Sequence, residues 1–432
     1  MASAEMDLSL PRGIRDVPPA DHEAHEKIRG AFYEVARLFN FKLMEPAPLE
    51  HLSVLRAKSG SDIDAQIYSF KDKSGRDIGL RFDLTVGMTR YVAARRDLKP
   101  PIKLASFGGV WRYDEPQHAR YRWFHQWDLE IFGASSAEAD AEIIDASQMI
   151  FKKLKLNTTV KVGDRKTVEG FIRKRVGVTG EEKVLELMRA LDKMSKKSRS
   201  DLVKEYVQKG ISRDQVEAVL DFAGTKGSLD AVLPELTKQG TSDTESLSEL
   251  HSSLEARNVR GVEYDMSIVR GIDYYTGIVF EISDRDHADL GALCGGGRYD
   301  LLPKIFGRPD LAATGAAGGV DRAALSLTRS EVAETLVYVA SIGEEGSKAA
   351  ARALSLLRNA GIRADAPLSP KAIGKQLQDA SDAGASWTII VGAKEVASGQ
   401  VALRNMLSRT EERLPLEQAL QKIRAEIDAS KN

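Results

Sequence analysis

The 432-residue chain carries 62 basic and 63 acidic residues, with 29% charged and 42% hydrophobic positions, which describes a folded globular protein rather than a disordered one. A net charge of −1 excludes adhesion to nucleic acid by bulk charge, so any RNA contact has to use local basic patches. One cysteine, Cys294, excludes an intrachain disulfide and fits a reducing compartment, and seven scattered histidines leave no zinc ligand set. The length predicts two or three domains. No apolar run approaches the roughly 20 residues of a membrane helix, and Met1 to Leu10 lacks the basic and apolar regions of a secretory signal.

Asp21 to Asn40 is predicted to be a helix, because Ile28, Phe32, Val35, Ala36 and Phe39 share one face at helical spacing. Pro46 and Pro48 force an extended path after it. From Ile78 to Ile131 the period changes to two, which predicts antiparallel strands with one buried face. A further helix should open at Ser135, with Glu138 completing a capping box, and bury Ile143, Ala146, Ile150 and Leu154. Residues 169–258 are helical in pattern and charge-polarised: 173–209 holds 11 basic and 6 acidic side chains, and 210–258 holds 4 and 9. Strand signals resume from Tyr264 to Ile282, so 169–258 reads as an insertion. Beyond Arg329, an apolar strand at Leu336–Ile342, a helix ending near Gly361, a helix start at Ser369–Pro370 and a strand at Trp387–Val391 predict a separate α/β domain. No internal repeat or low-complexity tract interrupts the chain.

The chemistry concentrates between Ala105 and Gly133. Alternation along its second strand places Arg122, Phe124, Gln126, Asp128 and Glu130 on one face and Trp123, His125, Trp127, Leu129 and Ile131 on the other. Read as a strand, Leu80–Thr85 likewise sets Arg81, Asp83 and Thr85 opposite Leu80, Phe82 and Leu84. Asp83, Thr85, Gln126 and Glu130 then offer acceptors for an ammonium group, although either strand alone also fits a solvated sheet face. Arg112, Arg120, Arg270 and Arg322 supply cations of the kind a triphosphate needs; each taken singly fits a surface ion pair. Neither a P-loop nor a dinucleotide-binding glycine fingerprint occurs. The Lys193–Arg199 run fits a solvated helix face or an RNA contact equally. Gly295–Gly297 reads as a tight turn that brings Tyr299 into place, and Cys294 reads as a passive wall residue.

Phe107–Gly133 resembles motif 2 of the class II aminoacyl-tRNA synthetases, Ala313–Leu325 (ATGAAGGVDRAAL) resembles motif 3, and Phe41–Pro46 resembles motif 1. Val269–Tyr275 (VRGIDYY) and Cys294–Asp300 (CGGGRYD) resemble the two signatures of the histidyl-tRNA synthetases, and Leu10–Asp16 (LPRGIRD) resembles that family's opening. The resemblance implies an α+β fold: an antiparallel catalytic sheet flanked by helices (1–168 and 259–329), a helical insertion (169–258) and a C-terminal α/β anticodon-binding domain (333–432). It further implies ATP and histidine as substrates, Mg²⁺ with the ATP, tRNA(His) as acceptor, a homodimer built through motif 1, and a cytoplasmic location.

By the same resemblance, Asp83, Gln126 and Glu130 would hold the α-amino group, with Thr85 close by. Tyr275 and Tyr299 would contact the imidazole, and of Tyr274 and Tyr275 only one can face the site. Arg112 would bind the α-phosphate, Arg120 and Arg322 the outer phosphates, and Phe124 would stack on adenine. Arg270 would lie between the substrate carboxylate and the α-phosphate. Three positions depart from the family: Asp83 stands where bacterial members carry glutamate, as in the eukaryotic branch. Gly87 replaces that branch's proline, and Asp321 replaces the glutamate usual before the motif 3 arginine. The nearest rival resemblance is the synthetase-like regulatory subunit of ATP phosphoribosyltransferase, which lacks an anticodon-binding domain. A stress-kinase sensor region is a remoter one, because no kinase signature is present.

Overall fold

A computed structural model describes the chain except residues 1–5, 58–60, 116–120, 195–196, 242, 270–274, 328–334 and 431–432, and except the side chains of 61, 62 and 430. Arg120, Arg270 and Tyr274 therefore lie outside the described residues. The chain divides into two compact units, Met1–Thr328 and Arg329–Asn432.

The larger unit is organised by a nine-stranded sheet. Its order is Lys42–Leu43, Ile102–Trp111, Trp123–Phe132, Ala313–Gly319, Ala292–Arg298, Ile278–Asp284, Thr158–Asp164, Val262–Asp265 and Lys226–Gly227. Among the described residues, Lys42–Leu43 pairs in parallel with Ile102–Trp111 and Val262–Asp265 in parallel with Thr158–Asp164, and the other pairings are antiparallel. Two helices, Pro19–Leu38 and Ala137–Lys153, cover one face. They bury Ile28, Phe32, Val35, Ile143 and Ile150 against Trp127, Leu129 and Ile131, each fully buried large side chain contributing roughly 1.5–3 kcal/mol. The helices between Arg165 and Ala256 continue this cluster through residues such as Leu187, Val219 and Leu250. A small sheet of Leu49–His51, Asp77–Leu80 and Ser69–Lys71 stands apart.

Several local expectations are corrected. The strand read over Leu80–Thr85 stops at Leu80, and Thr85–Ala94 is a helix. Leu84, Met88 and Val92 recur every four residues and are buried together, so helical packing overrides the short alternation ahead of it. The period-two stretch from Ile78 to Ile131 is accordingly interrupted. Ser135 does not cap its helix; Ser136 stands at the cap without a side-chain bond, because Glu138 is drawn instead to Ser253 and Arg257. The helix placed after Ser369–Pro370 begins at Ile373. Gly295–Gly297 forms no turn but lies within the Ala292–Arg298 strand. There a Cβ on Gly297, whose φ is +151°, would stand 2.3 Å from the Ile278 carbonyl oxygen, so glycine is required by the neighbouring backbone.

The smaller unit has a five-stranded sheet in the order Ala364–Asp365, Val337–Ser341, Trp387–Val391, Val401–Asn405 and Glu411–Leu414. The first three run parallel and the last two antiparallel. Helices Gly343–Asn359 and Leu416–Ser430 cover it, with Leu357 and Ile423 buried against Val339, Ile389 and Leu403. Among the described residues, no helix is long and apolar enough to cross a membrane.

Candidate active site

The hairpin of Ile102–Trp111 and Trp123–Phe132 runs in register from Ile102 opposite Phe132 to Trp111 opposite Trp123. Its faces divide as the alternation predicts. Trp127, Leu129 and Ile131 meet the helices, while Phe124 and Phe132 turn the other way, toward Leu84, Tyr275 and Tyr299. Gln126, Asp128 and Glu130 share that second face at 4%, 0% and 1% exposure.

Asp128 is the hub, and sequence reasoning passed over it although it lay on the right face. Its Oδ1 accepts from Gln126 Nε2 at 2.8 Å and its Oδ2 from the Thr85 hydroxyl at 3.0 Å. Asp83 Oδ1 accepts from the Val86 amide at 3.0 Å, fixing the start of the Thr85–Ala94 helix. Glu130 belongs to a second group, since the Tyr299 hydroxyl donates to its Oε2. Gly315 faces Glu130 across the sheet, and a Cβ there would come within 1.6 Å of Oε2. Asp83, Asp128 and Glu130 are all buried, and a neutral donor orients each carboxylate. Clustered carboxylates of this kind suit a cationic ligand.

The cationic side lies next to it. Arg112 donates from Nε to the Phe82 carbonyl at 2.9 Å and reaches Gln126 Oε1 at 3.5 Å. Its guanidinium lies 5.3 Å from the centre of the Phe124 ring. Arg322, on the Val320–Ser326 helix, donates to the Ala292 carbonyl at 2.7 Å, tying that helix to the adjacent strand. Tyr275 is buried with Tyr299. The structure thus brings together Asp83, Thr85, Gln126, Glu130, Tyr275 and Tyr299, and sets Arg112 beside Phe124. Cys294 is not a wall of this pocket: it is buried in the cluster beneath the helices, on the opposite side of its strand.

Other charged residues act as braces. Arg298, in CGGGRYD, points away from Tyr299 and donates twice to Asp140 Oδ2, at 2.9 and 3.1 Å. Burial raises the pKa of Asp140, and Arg298 opposes that rise. Alternation within CGGGRYD was the signal for this division. Arg81 donates to the carbonyls of Gly109 and Pro46 rather than to the pocket. Gly87 packs against Pro46, whose Cβ would lie 2.6 Å from a Cβ at that position.

Behind the motif 3 helix, Asp321 Oδ2 accepts from the His125 amide at 2.9 Å. His25 lies 3.8 Å from Asp321 and edge-on to His125, with ring centres 5.2 Å apart. Burial lowers both imidazole pKa values below the ordinary 6.5. Asp321 opposes the shift in each, and Arg15 beside His25 and Arg29 beside His125 reinforce it. Asp21 and His22 also face His25, and His22 faces His125. The unfolded chain therefore takes up protons here before the folded chain does, so stability is full above about pH 6.5 and falls below it. In urea melts, the loss between pH 7.5 and 5.5 should be shallower in a His25→Gln/His125→Gln variant than in the parent. Equal slopes would show that these rings do not contribute.

The mostly antiparallel sheet, backed by helices and carrying the site on its other face, is the catalytic fold of a class II aminoacyl-tRNA synthetase, the class of the family whose model covers it. A family model described as Histidyl-tRNA synthetase matches residues 13–323, and one described as Anticodon binding domain matches residues 336–426. The chain belongs to the histidyl-tRNA synthetase family. It is 35% identical over 404 residues to a protein of Pyrobaculum islandicum named Histidine--tRNA ligase, covering 93% of this chain and 94% of that one. A Thermococcus kodakarensis protein of the same name is 34% identical, covering 96% and 98%. In fold it is similar to the histidyl-tRNA synthetase of Nostoc sp. PCC 7120, with a TM-score of 0.84, 23% identity and coverage of 98% and 100%.

Proposed function

We propose that the chain is a histidine–tRNA ligase: it joins histidine to ATP as histidyl-adenylate with release of pyrophosphate, then passes histidine to the 3′ end of its tRNA with release of AMP. The observation that carries this reading is the buried acidic pocket, split into an Asp128 group and a Glu130–Tyr299 pair, directly beside Arg112. The Asp128 group, with Asp83, Thr85 and Gln126, holds the substrate ammonium. Glu130 moves from that set to the imidazole end, where it, Tyr275 and Tyr299 read the ring. A ligand lacking ring nitrogens would leave buried polar groups unpaired. Arg112 stabilises charge on the α-phosphate, Phe124 stacks on adenine, and Arg322 and Arg120 take the outer phosphates. Arg270 orients the histidine carboxylate for attack; like Arg120, it enters by family resemblance alone.

Mg²⁺ takes oxygen ligands, typically one or two carboxylates, several waters and the substrate phosphates. Glu281 fits this role, because it shares a strand face with Val279, which packs in the cluster containing Tyr299. Bound there, the ion would offset charge on the phosphates. Residues 333–432 read the anticodon, 169–258 form an insertion, and 1–168 with 259–329 form the catalytic core. A cytoplasmic homodimer completes the reading; exposed Tyr33, Leu38 and Leu43 around motif 1 support a second copy there. The regulatory-subunit reading is disfavoured by the anticodon-domain match at 336–426.

The test is pyrophosphate exchange: with ATP and Mg²⁺, exchange should require histidine and fail with other amino acids. No exchange with histidine would remove the proposal.

A further inference from the structure

The segment Arg12–Arg15 lies against both stems of the motif 2 loop. The Gly13 carbonyl accepts from the Arg122 amide at 2.8 Å, and the Arg12 carbonyl accepts from Arg122 Nη1 at 3.2 Å. Arg122 in turn donates to the Asp114 carbonyl at 3.0 Å and stacks 3.8 Å from the Tyr113 ring. One arginine thereby joins the two stems to each other and to the N-terminal segment. Arg15 extends the connection to motif 3. Its Nη2 donates to Asp321 Oδ1 at 2.8 Å, its Nη1 donates to Asp21 at 2.7 Å, and its guanidinium lies 4.2 Å over the Tyr121 ring. Asp321 uses its other oxygen on the motif 2 strand, at the His125 amide, and directly precedes Arg322. The exposed Arg12–Glu115 pair adds little by comparison.

We propose that this segment is a strap across the base of the motif 2 loop and that Arg15 is a positioning residue for ATP. It fixes Tyr121 on one side and, through Asp321, the helix that carries Arg322 on the other. The inference rests on the ligase reading given above. Arg15 touches no substrate, so its effect is confined to groups that hold the nucleotide. The pocket of Asp83, Gln126, Asp128 and Glu130 is held by other partners, among them Thr85, the Val86 amide, Arg112 and Tyr299. The fork geometry is needed as well as the charge, because a lysine ammonium cannot bridge two carboxylates while lying flat on a ring.

The experiment uses the full-length chain in pyrophosphate exchange, varying ATP and histidine separately. Arg15→Ala should raise KM for ATP about tenfold or more, as displaced positioning groups do, while KM for histidine stays within about twofold. Arg15→Lys should recover only part of the loss, which keeps the test available if the alanine variant does not fold. An Arg15→Ala/Asp321→Ala pair should cost no more than the larger single change, because the two act as a unit. Asp21→Asn, which leaves Arg15 an oxygen acceptor but removes one of the two charges it bridges, should raise KM for ATP less than Arg15→Ala does. An unchanged KM for ATP in a folded Arg15 variant, equal rises for both substrates, or additive losses in the pair would overturn the strap. A parent chain without exchange would instead contradict the ligase reading itself.

Discussion

Arg112→Ala should lower kcat for pyrophosphate exchange by about 10²–10³-fold, the usual loss when one preorganised donor to developing charge is removed. Arg112 is already aligned by the Phe82 carbonyl and Gln126, so its orientation is set before any nucleotide charge develops. Arg112→Lys should recover little, since one ammonium cannot keep the carbonyl bond and face a phosphate with the planar fork. KM for histidine should change far less than kcat, because Arg112 stabilises the reacting phosphate. An unaltered kcat in the alanine variant would remove Arg112 from the chemistry.

Glu130→Gln should weaken histidine binding about 10- to 100-fold, the range for losing a hydrogen bond to a charged, buried group. KM for ATP should stay within about twofold. The glutamine keeps the volume but gives up the charge, and its amide presents a donor where the Tyr299 hydroxyl also donates. Gly315→Ala reaches the same carboxylate by another route, since the new methyl would overlap Oε2. Both variants should therefore lose histidine affinity ahead of ATP affinity. Equal losses for the two substrates, measured by separate titrations in exchange, would place Glu130 outside the histidine pocket.

The sequence made the hairpin legible because both of its faces carry a signal. Trp127, Leu129 and Ile131 are apolar at every second position, and Gln126, Asp128 and Glu130 are polar between them. Leu80–Thr85 misled because six residues suffice to mimic alternation. The longer rhythm of Leu84, Met88 and Val92, which decides that segment, only begins at its end. The three glycines of CGGGRYD were misread for a different reason. Glycine marks both turns and crowded strands, and only the neighbouring backbone of Ile278 tells them apart. Asp128 was placed on the correct face but passed over, because its role lies in joining Thr85 and Gln126 from separate elements. The strap was illegible beforehand: Arg15 and Asp321 are 306 positions apart, and no local pattern links them.

The most direct measurement is charging of unfractionated tRNA by the purified full-length chain, with ATP, Mg²⁺ and each labelled amino acid in turn. Label should become acid-precipitable with histidine alone, become soluble again on mild alkaline deacylation, and require tRNA with an intact 3′ end. Charging with a different amino acid, or histidine-dependent exchange with no transfer to tRNA, would contradict a histidine–tRNA ligase.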